Sequence, residues 1–206
     1  MEDNSNYRSK ALNMTKIKTH KLFPIPIFEF KIQNHESLNS ELEEYIYKLQ
    51  KNDPKGMNLS NSGGWHSPYF NIRDTEVLKN FVKIIYNYLH EIITKEYGWE
   101  FKSEKVFIEA MWSIINKKDS YNLRHVHPNC MLSAAYYVKA KKNCGKIQFW
   151  DPTEAKIMRH PFVSKFTDLS VESIKFEPEE GTLFIFPAYL HHAVEKNLSD
   201  EDRIVI

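Results

Sequence analysis

Neither sign of charge is in surplus: 28 Lys and Arg stand against 27 Asp and Glu, a formal net charge of +1. A nucleic-acid surface needs a strongly basic face, so this balance gives no case for that partner. Cysteine is scarce. Cys130 and Cys144 are too few to staple a chain of 206 residues. No apolar leader opens the sequence, and every apolar run is broken by charge well short of the roughly 20 residues that a membrane span requires. These absences predict a soluble protein of a reducing compartment, the cytoplasm of a cell or of a viral host, with neither nucleic acid nor membrane as partner. What is present is 42% hydrophobic and 14% aromatic, a composition that folds rather than stays disordered.

Residues 1–18 are polar and without periodicity, which predicts a disordered tail, and residues 19–206 read as one domain. Leu22–Ile32 reads as a strand, with Pro24 and Pro26 suiting an edge or entry position. Leu38, Leu42, Tyr45, Ile46 and Leu49 recur at helical spacing, predicting a helix over Ser37–Lys51. A second helix is expected from an N-cap near Asp74, with Leu78, Phe81, Ile85, Leu89 and Ile92 as its buried stripe and Gly98 closing it. Between them Ser60–Ser67 is a glycine-containing loop. Beyond Gly98 the pattern changes to short strands: Lys105–Ile115, Leu132–Lys139, Lys146–Trp150, Ser170–Phe176, Thr182–Phe186, His192–Glu195 and Arg203–Ile206. The expected fold is therefore mainly β with α, a sandwich or barrel supported by two N-terminal helices. The sequence stops inside what reads as a strand, as a truncated record would.

Two histidines stand out. His125 and His127 lie two apart in Asn122–Asn129, a spacing that places both imidazoles on one face of an extended strand. Imidazole is the commonest protein metal ligand, but a pair of partly exposed hairpin histidines has the same spacing. Downstream, the run Gly181–Val194 ends in His191 and His192, of which one can face the same point because adjacent strand residues alternate. Arg203 follows His192 by eleven residues across a polar turn. A hairpin of that length returns its guanidinium to the same end of the sheet, where it suits bidentate capture of a carboxylate.

Together these segments resemble a family. The His-x-His pair, Ser133–Val138, Gly145–Phe149, the Phe186-Pro187 step, His192-Ala-Val194 and Arg203 are similar in order and spacing to the iron(II)/2-oxoglutarate-dependent oxygenases. The likeness is to members with a prolyl-hydroxylase-like core, and to a group of oxygenases from marine bacteria and phages. That group also has a Leu-Phe-Pro start, like Leu22–Pro24, and a loop like Ser60–Ser67. The resemblance implies a double-stranded β-helix, or jelly roll, and an enzyme that hydroxylates a substrate while decarboxylating 2-oxoglutarate to succinate. It implies Fe(II) held by His125, His127 and His192 as the catalytic metal set. Arg203 would grip the distal carboxylate of 2-oxoglutarate, with Tyr137 assisting. O2 is the second co-substrate.

The pattern departs from most of the superfamily at one position, where His127 stands in place of Asp or Glu. Three imidazoles leave the same open positions on iron as two imidazoles and a carboxylate but supply no negative charge, so weaker metal retention is expected. Asp151 and Asp119 are the nearby acids that could supply a carboxylate instead. Trp112 and Trp150 are expected to pack the barrel, and Cys130 to be a small buried hydrophobe. His66, among other histidines, has no partner at ligand spacing. The alternative reading is a cupin-type jelly-roll metal-binding protein with a non-redox or ligand-binding role, since three histidines suit zinc as well as iron. The substrate, a small molecule or a protein side chain, and the oligomeric state are not specified by the sequence.

Overall fold

The computed structural model of the protein describes residues 17–102, 105–153 and 162–206. Most of the expected tail and His160 lie outside the described residues. Among the described residues, eleven strands form two antiparallel sheets. In chain order they are β1 Phe28–Lys31, β2 Asn61–Ser62, β3 Trp65–His66, β4 Ile114–Asn116, β5 Tyr121–His125, β6 Leu132–Lys139, β7 Ile147–Trp150, β8 Ser173–Phe176, β9 Thr182–Pro187, β10 His192–Val194 and β11 Arg203–Val205. The larger sheet runs β1-β9-β6-β11-β4-β3 and the smaller β2-β5-β10-β7-β8. This is the double-stranded β-helix, or jelly roll, that the family resemblance implied.

Two helices, α1 His35–Asn52 and α2 Glu76–Glu91, cover the larger sheet. Alternation along the strands decides which side chains meet them. Tyr136, Val138, Leu183, Ile185, Ile115 and Ile204 face the helices and form one core with Leu42 and Ile46 of α1 and Leu78, Phe81 and Ile85 of α2. Their neighbours in sequence turn the other way, into the barrel: Tyr137, Phe184 and Phe186 meet Ile147 and Phe149 of the smaller sheet. Burial of this extent, at about 25 cal/mol per Å2 of apolar surface, fixes register, because a one-residue slip would exchange the two faces. Asn39 of α1 ties helix to sheet by donating to the Val138 carbonyl at 2.8 Å.

Several boundaries differ from expectation. The first strand is four residues long, because Leu22 and Phe23 stay exposed and unpaired with the sheet. Helix α2 is capped by Thr75 rather than Asp74: the Thr75 hydroxyl accepts from the Leu78 N–H at 3.3 Å. Its last turn widens into a π-helical turn at Ile92–Glu96 before Gly98. Of the expected Lys105–Ile115 run only Ile114 and Ile115 are strand, which goes on to Asn116, and Phe107 is exposed. The loop Ser60–Ser67 contributes two short strands instead of remaining irregular. Gly64 makes this close approach feasible: at φ +67° a side chain there would press its Cβ to 2.5 Å from the Ile115 carbonyl oxygen.

Candidate functional site

The smaller sheet brings β5 and β10 side by side, with His125 directly opposite His192. Both imidazoles turn into the barrel. The chain leaves the strand after His125, so His127 is not placed by strand alternation. Its backbone N–H instead donates to the Ala188 carbonyl at 3.0 Å, which folds the segment back over the barrel end. The result is a cluster of His125, His127 and His192 whose ligand nitrogens all lie within 4.8 Å of one another.

Hydrogen bonds aim these nitrogens. His125 Nδ1 donates to the Leu123 carbonyl at 2.7 Å and His192 Nδ1 to the Leu190 carbonyl at 3.0 Å. Each ring is thereby held as the Nδ1–H tautomer with its Nε2 lone pair free, the usual orientation of a metal-ligating histidine. His127 Nε2 sits 3.2 Å from His192 Nε2. Two lone pairs at that distance repel unless a proton or a cation lies between them. Burial lowers all three pKa values, with neighbouring imidazoles adding to the effect: His127 falls to about 4 and His192 to about 3. The rings are neutral at pH 7, the state that metal binding requires.

Among the described residues no carboxylate joins this cluster. Asp151 accepts from the Thr153 N–H at 2.8 Å. Asp119 lies in the turn before β5, six residues and roughly 20 Å of extended chain from His125. His191 is not part of the cluster, and its carbonyl accepts from the Trp150 N–H at 3.0 Å.

Deeper in the barrel is a second polar end. Arg203 of β11 is fully buried, and its Nη1 donates to the Cys144 carbonyl and, at 3.0 Å, to the Glu195 carbonyl. Its Nε and Nη2 have no partner, and neither does the Tyr137 hydroxyl. Burial lowers the Arg203 pKa and raises that of Tyr137. A buried guanidinium with unused donors is costly, and an anion that accepts from Nε, Nη2 and the phenol would offset that cost. Gly145 permits the close approach of the guanidinium: a Cβ there would lie 2.7 Å from Arg203 Nη1 and 2.5 Å from the Glu195 carbonyl oxygen. This donor set fits the distal carboxylate of 2-oxoglutarate, and the three imidazoles fit Fe(II).

Sequence reasoning missed two residues near the metal end. Trp112 does more than pack, since its ring lies 5.5 Å from that of His127. His66, pairing opposite Ile114 across β3 and β4, stacks on Trp112 at 5.6 Å and 14°. The signal available for His66 was its place two residues after Gly64, where the loop must pass close to β4. Trp150 sits on the outer face of the smaller sheet, under the Arg124 guanidinium at 4.7 Å. Trp65 fills the helical core and donates from Nε1 to the Asp53 carbonyl at 2.7 Å. Cys130 is exposed, contrary to expectation, because the turn after His127 carries it outward.

Comparison with known proteins bears on the fold and on the C-terminal sequence. Residues 110–206, which hold all five of these site residues, match the model of the family described as "Putative 2OG-Fe(II) oxygenase". No curated protein sequence matches the chain. Among solved structures, a prolyl-4-hydroxylase from Pseudomonas putida superposes with a TM-score of 0.63 at 11% identity, covering 88% of this chain and 89% of that one. The viral collagen prolyl hydroxylase of Paramecium Bursaria Chlorella virus-1, solved with 2-oxoglutarate, gives 0.52 at 15% identity over 87% and 92%. A Trichoplax adhaerens prolyl hydroxylase, solved with a hypoxia inducible factor peptide fragment, gives 0.58 at 12% identity over 87% and 80%. These likenesses establish the fold, and no helix among the described residues is long and apolar enough to cross a membrane. In sequence, residues 110–206 are similar to the 2OG-Fe(II) oxygenases, and in fold the chain is similar to the prolyl hydroxylases.

Proposed function

We propose that the chain is an iron(II)- and 2-oxoglutarate-dependent oxygenase that hydroxylates a C–H bond of its substrate and converts 2-oxoglutarate to succinate and carbon dioxide. One atom of O2 enters the new hydroxyl and the other the succinate carboxylate. His125, His127 and His192 hold the metal, while Arg203 and Tyr137 hold the distal carboxylate. The observation that carries this reading is one barrel with neutral imidazoles converging at one end and unpartnered buried donors at the other. Iron with 2-oxoglutarate and O2 supplies the oxidant; the chain's own groups bind, orient and exclude water. His125 and His192 keep their Nε2 atoms aimed through the Leu123 and Leu190 carbonyls. Phe149, Phe184 and Phe186 line the interior between the two ends and keep it dry. The substrate, a small molecule or a protein side chain, would enter past Trp112 and the exposed Tyr69, whose rings lie 5.7 Å apart.

Anaerobic addition of Fe(II) and 2-oxoglutarate to the metal-free protein tests the assignment. The expected result is a weak visible metal-to-ligand absorption band, and succinate on admission of O2. A protein that yields neither, but takes up zinc, is the cupin-type metal binder instead.

A further inference from the structure

The larger sheet places one more polar residue in the deep end, and the function described so far does not use it. Six buried side-chain N and O atoms among the described residues lack a hydrogen-bond partner, and five belong to Arg203, Tyr137 and Asn116. The sixth, Ser113 Oγ, precedes β4 on the side of Ile115, which faces the helices. Asn116 lies directly opposite Arg203 across β4 and β11, so the two side chains share a face. That face is the barrel interior, because Ile204 and Ile115 point to the helical core. Asn116 is 1% exposed, and neither its Oδ1 nor its Nδ2 is bonded.

A second asparagine nearby shows what a structural role looks like. Asn197 is also fully buried, and it donates from Nδ2 to the Asn116 carbonyl at 2.9 Å and the Glu201 carbonyl at 2.7 Å. Its Oδ1 accepts from the Ser199 N–H at 3.0 Å and hydroxyl at 2.7 Å. Every group on Asn197 is used; none on the Asn116 side chain is. Burying an amide without partners is unfavourable, so the unused side chain points to a ligand that completes it.

We infer that Asn116 is a third binding residue for the distal carboxylate of 2-oxoglutarate, donating from Nδ2 beside the Arg203 guanidinium and the Tyr137 hydroxyl. This rests on the reading of Arg203 and Tyr137 as the co-substrate anchor. A neutral amide adds a donor without adding charge next to a guanidinium that is already desolvated. Its position on β4 also continues a row of inward residues two apart, Trp112, Ile114 and Asn116, running from the metal end to the anchor.

The test is the binding curve of 2-oxoglutarate to the anaerobic Fe(II) protein, followed by the visible band, together with thermal unfolding of the metal-free protein. Asn116→Leu keeps volume but removes both polar atoms. It is expected to weaken 2-oxoglutarate about tenfold to a hundredfold, the loss of a hydrogen bond to a charged group, with the melting temperature unchanged or higher. Asn116→Asp puts a carboxylate beside the ligand's own and is expected to weaken it further. Pyruvate, a 2-oxo acid without a distal carboxylate, should bind the wild type and the Leu variant alike. If Asn116→Leu keeps the wild-type affinity for 2-oxoglutarate while its melting temperature falls, Asn116 serves an enclosed water or the fold, and the inference is wrong while the anchor stands. If the wild type itself shows no 2-oxoglutarate binding, anchor and inference fall together.

Discussion

The two ends of the barrel solve opposite problems. At the metal end three neutral imidazoles converge, partly open to solvent, and what they lack is positive charge. At the deep end a guanidinium, a phenol and an amide are closed off from water, and what they lack is negative charge. Each end is incomplete in the sense that a cation or an anion would correct. The difference is one of tolerance: a solvent-accessible imidazole can turn to water, whereas Arg203 Nε has nowhere else to go. Occupancy should therefore matter more to the deep end than to the metal end.

Substitutions can separate the ends. The largest effect is expected from His192→Ala, which removes the ligand opposite His125 and should abolish the Fe(II)–2-oxoglutarate band altogether. Arg203→Met should leave metal uptake intact but weaken 2-oxoglutarate roughly a hundredfold, the cost of losing one partner of a desolvated charge pair; equal loss of metal in that variant would break the comparison. Gly145→Ala introduces a Cβ against Arg203 Nη1 and the Glu195 carbonyl at φ +92°. It should lower stability by more than about 1 kcal/mol and reduce 2-oxoglutarate affinity more than metal affinity, read by thermal melts and titration.

Acid gives a more gradual effect. The folded-state pKa values of the three clustered histidines lie below the ordinary 6.5, so the unfolded chain binds protons first. Stability is then full above pH 6.5 and is lost as the pH falls from there toward 3–4. Unfolding of the metal-free protein followed across that range should show the decline, and saturating metal should move its onset lower. The smallest effect is expected from Arg124→Ala, on the outer face of the sheet over Trp150, which should change neither affinity and stability by only a few tenths of a kcal/mol.

How much of this was readable beforehand depended on whether a residue's role is local. Strand β6 appears with its expected bounds, Leu132–Lys139, because a strand paired on both sides and packed on both faces leaves a continuous apolar run. Lys105–Ile115 carried a similar composition but mostly lacks a partner strand, and composition does not report pairing. The proximity of His125 to His192 follows from a register between β5 and β10 that only the folded sheet fixes. His127 arrives by a loop contact to Ala188, not by the alternation that its spacing suggested. Asn116 gave no sequence signal at all, since one polar residue at the end of a short strand is ordinary until its amide is found buried and without a partner.

The position of β11 has a consequence for how the deep end is held together. It is the last strand in sequence, yet it lies between β6 and β4 inside the six-stranded sheet. Until it docks, both neighbours are open edges, available for wrong pairing. The smaller sheet depends on an equally distant pairing, β10 with β5, and β7 joins β10 on its other side. Pairings this distant in sequence form slowly. Pairing along β11 thus holds Arg203 opposite Asn116 and keeps Tyr137 on the neighbouring strand, so weakening that one strand would open the sheet and disperse all three buried donors together.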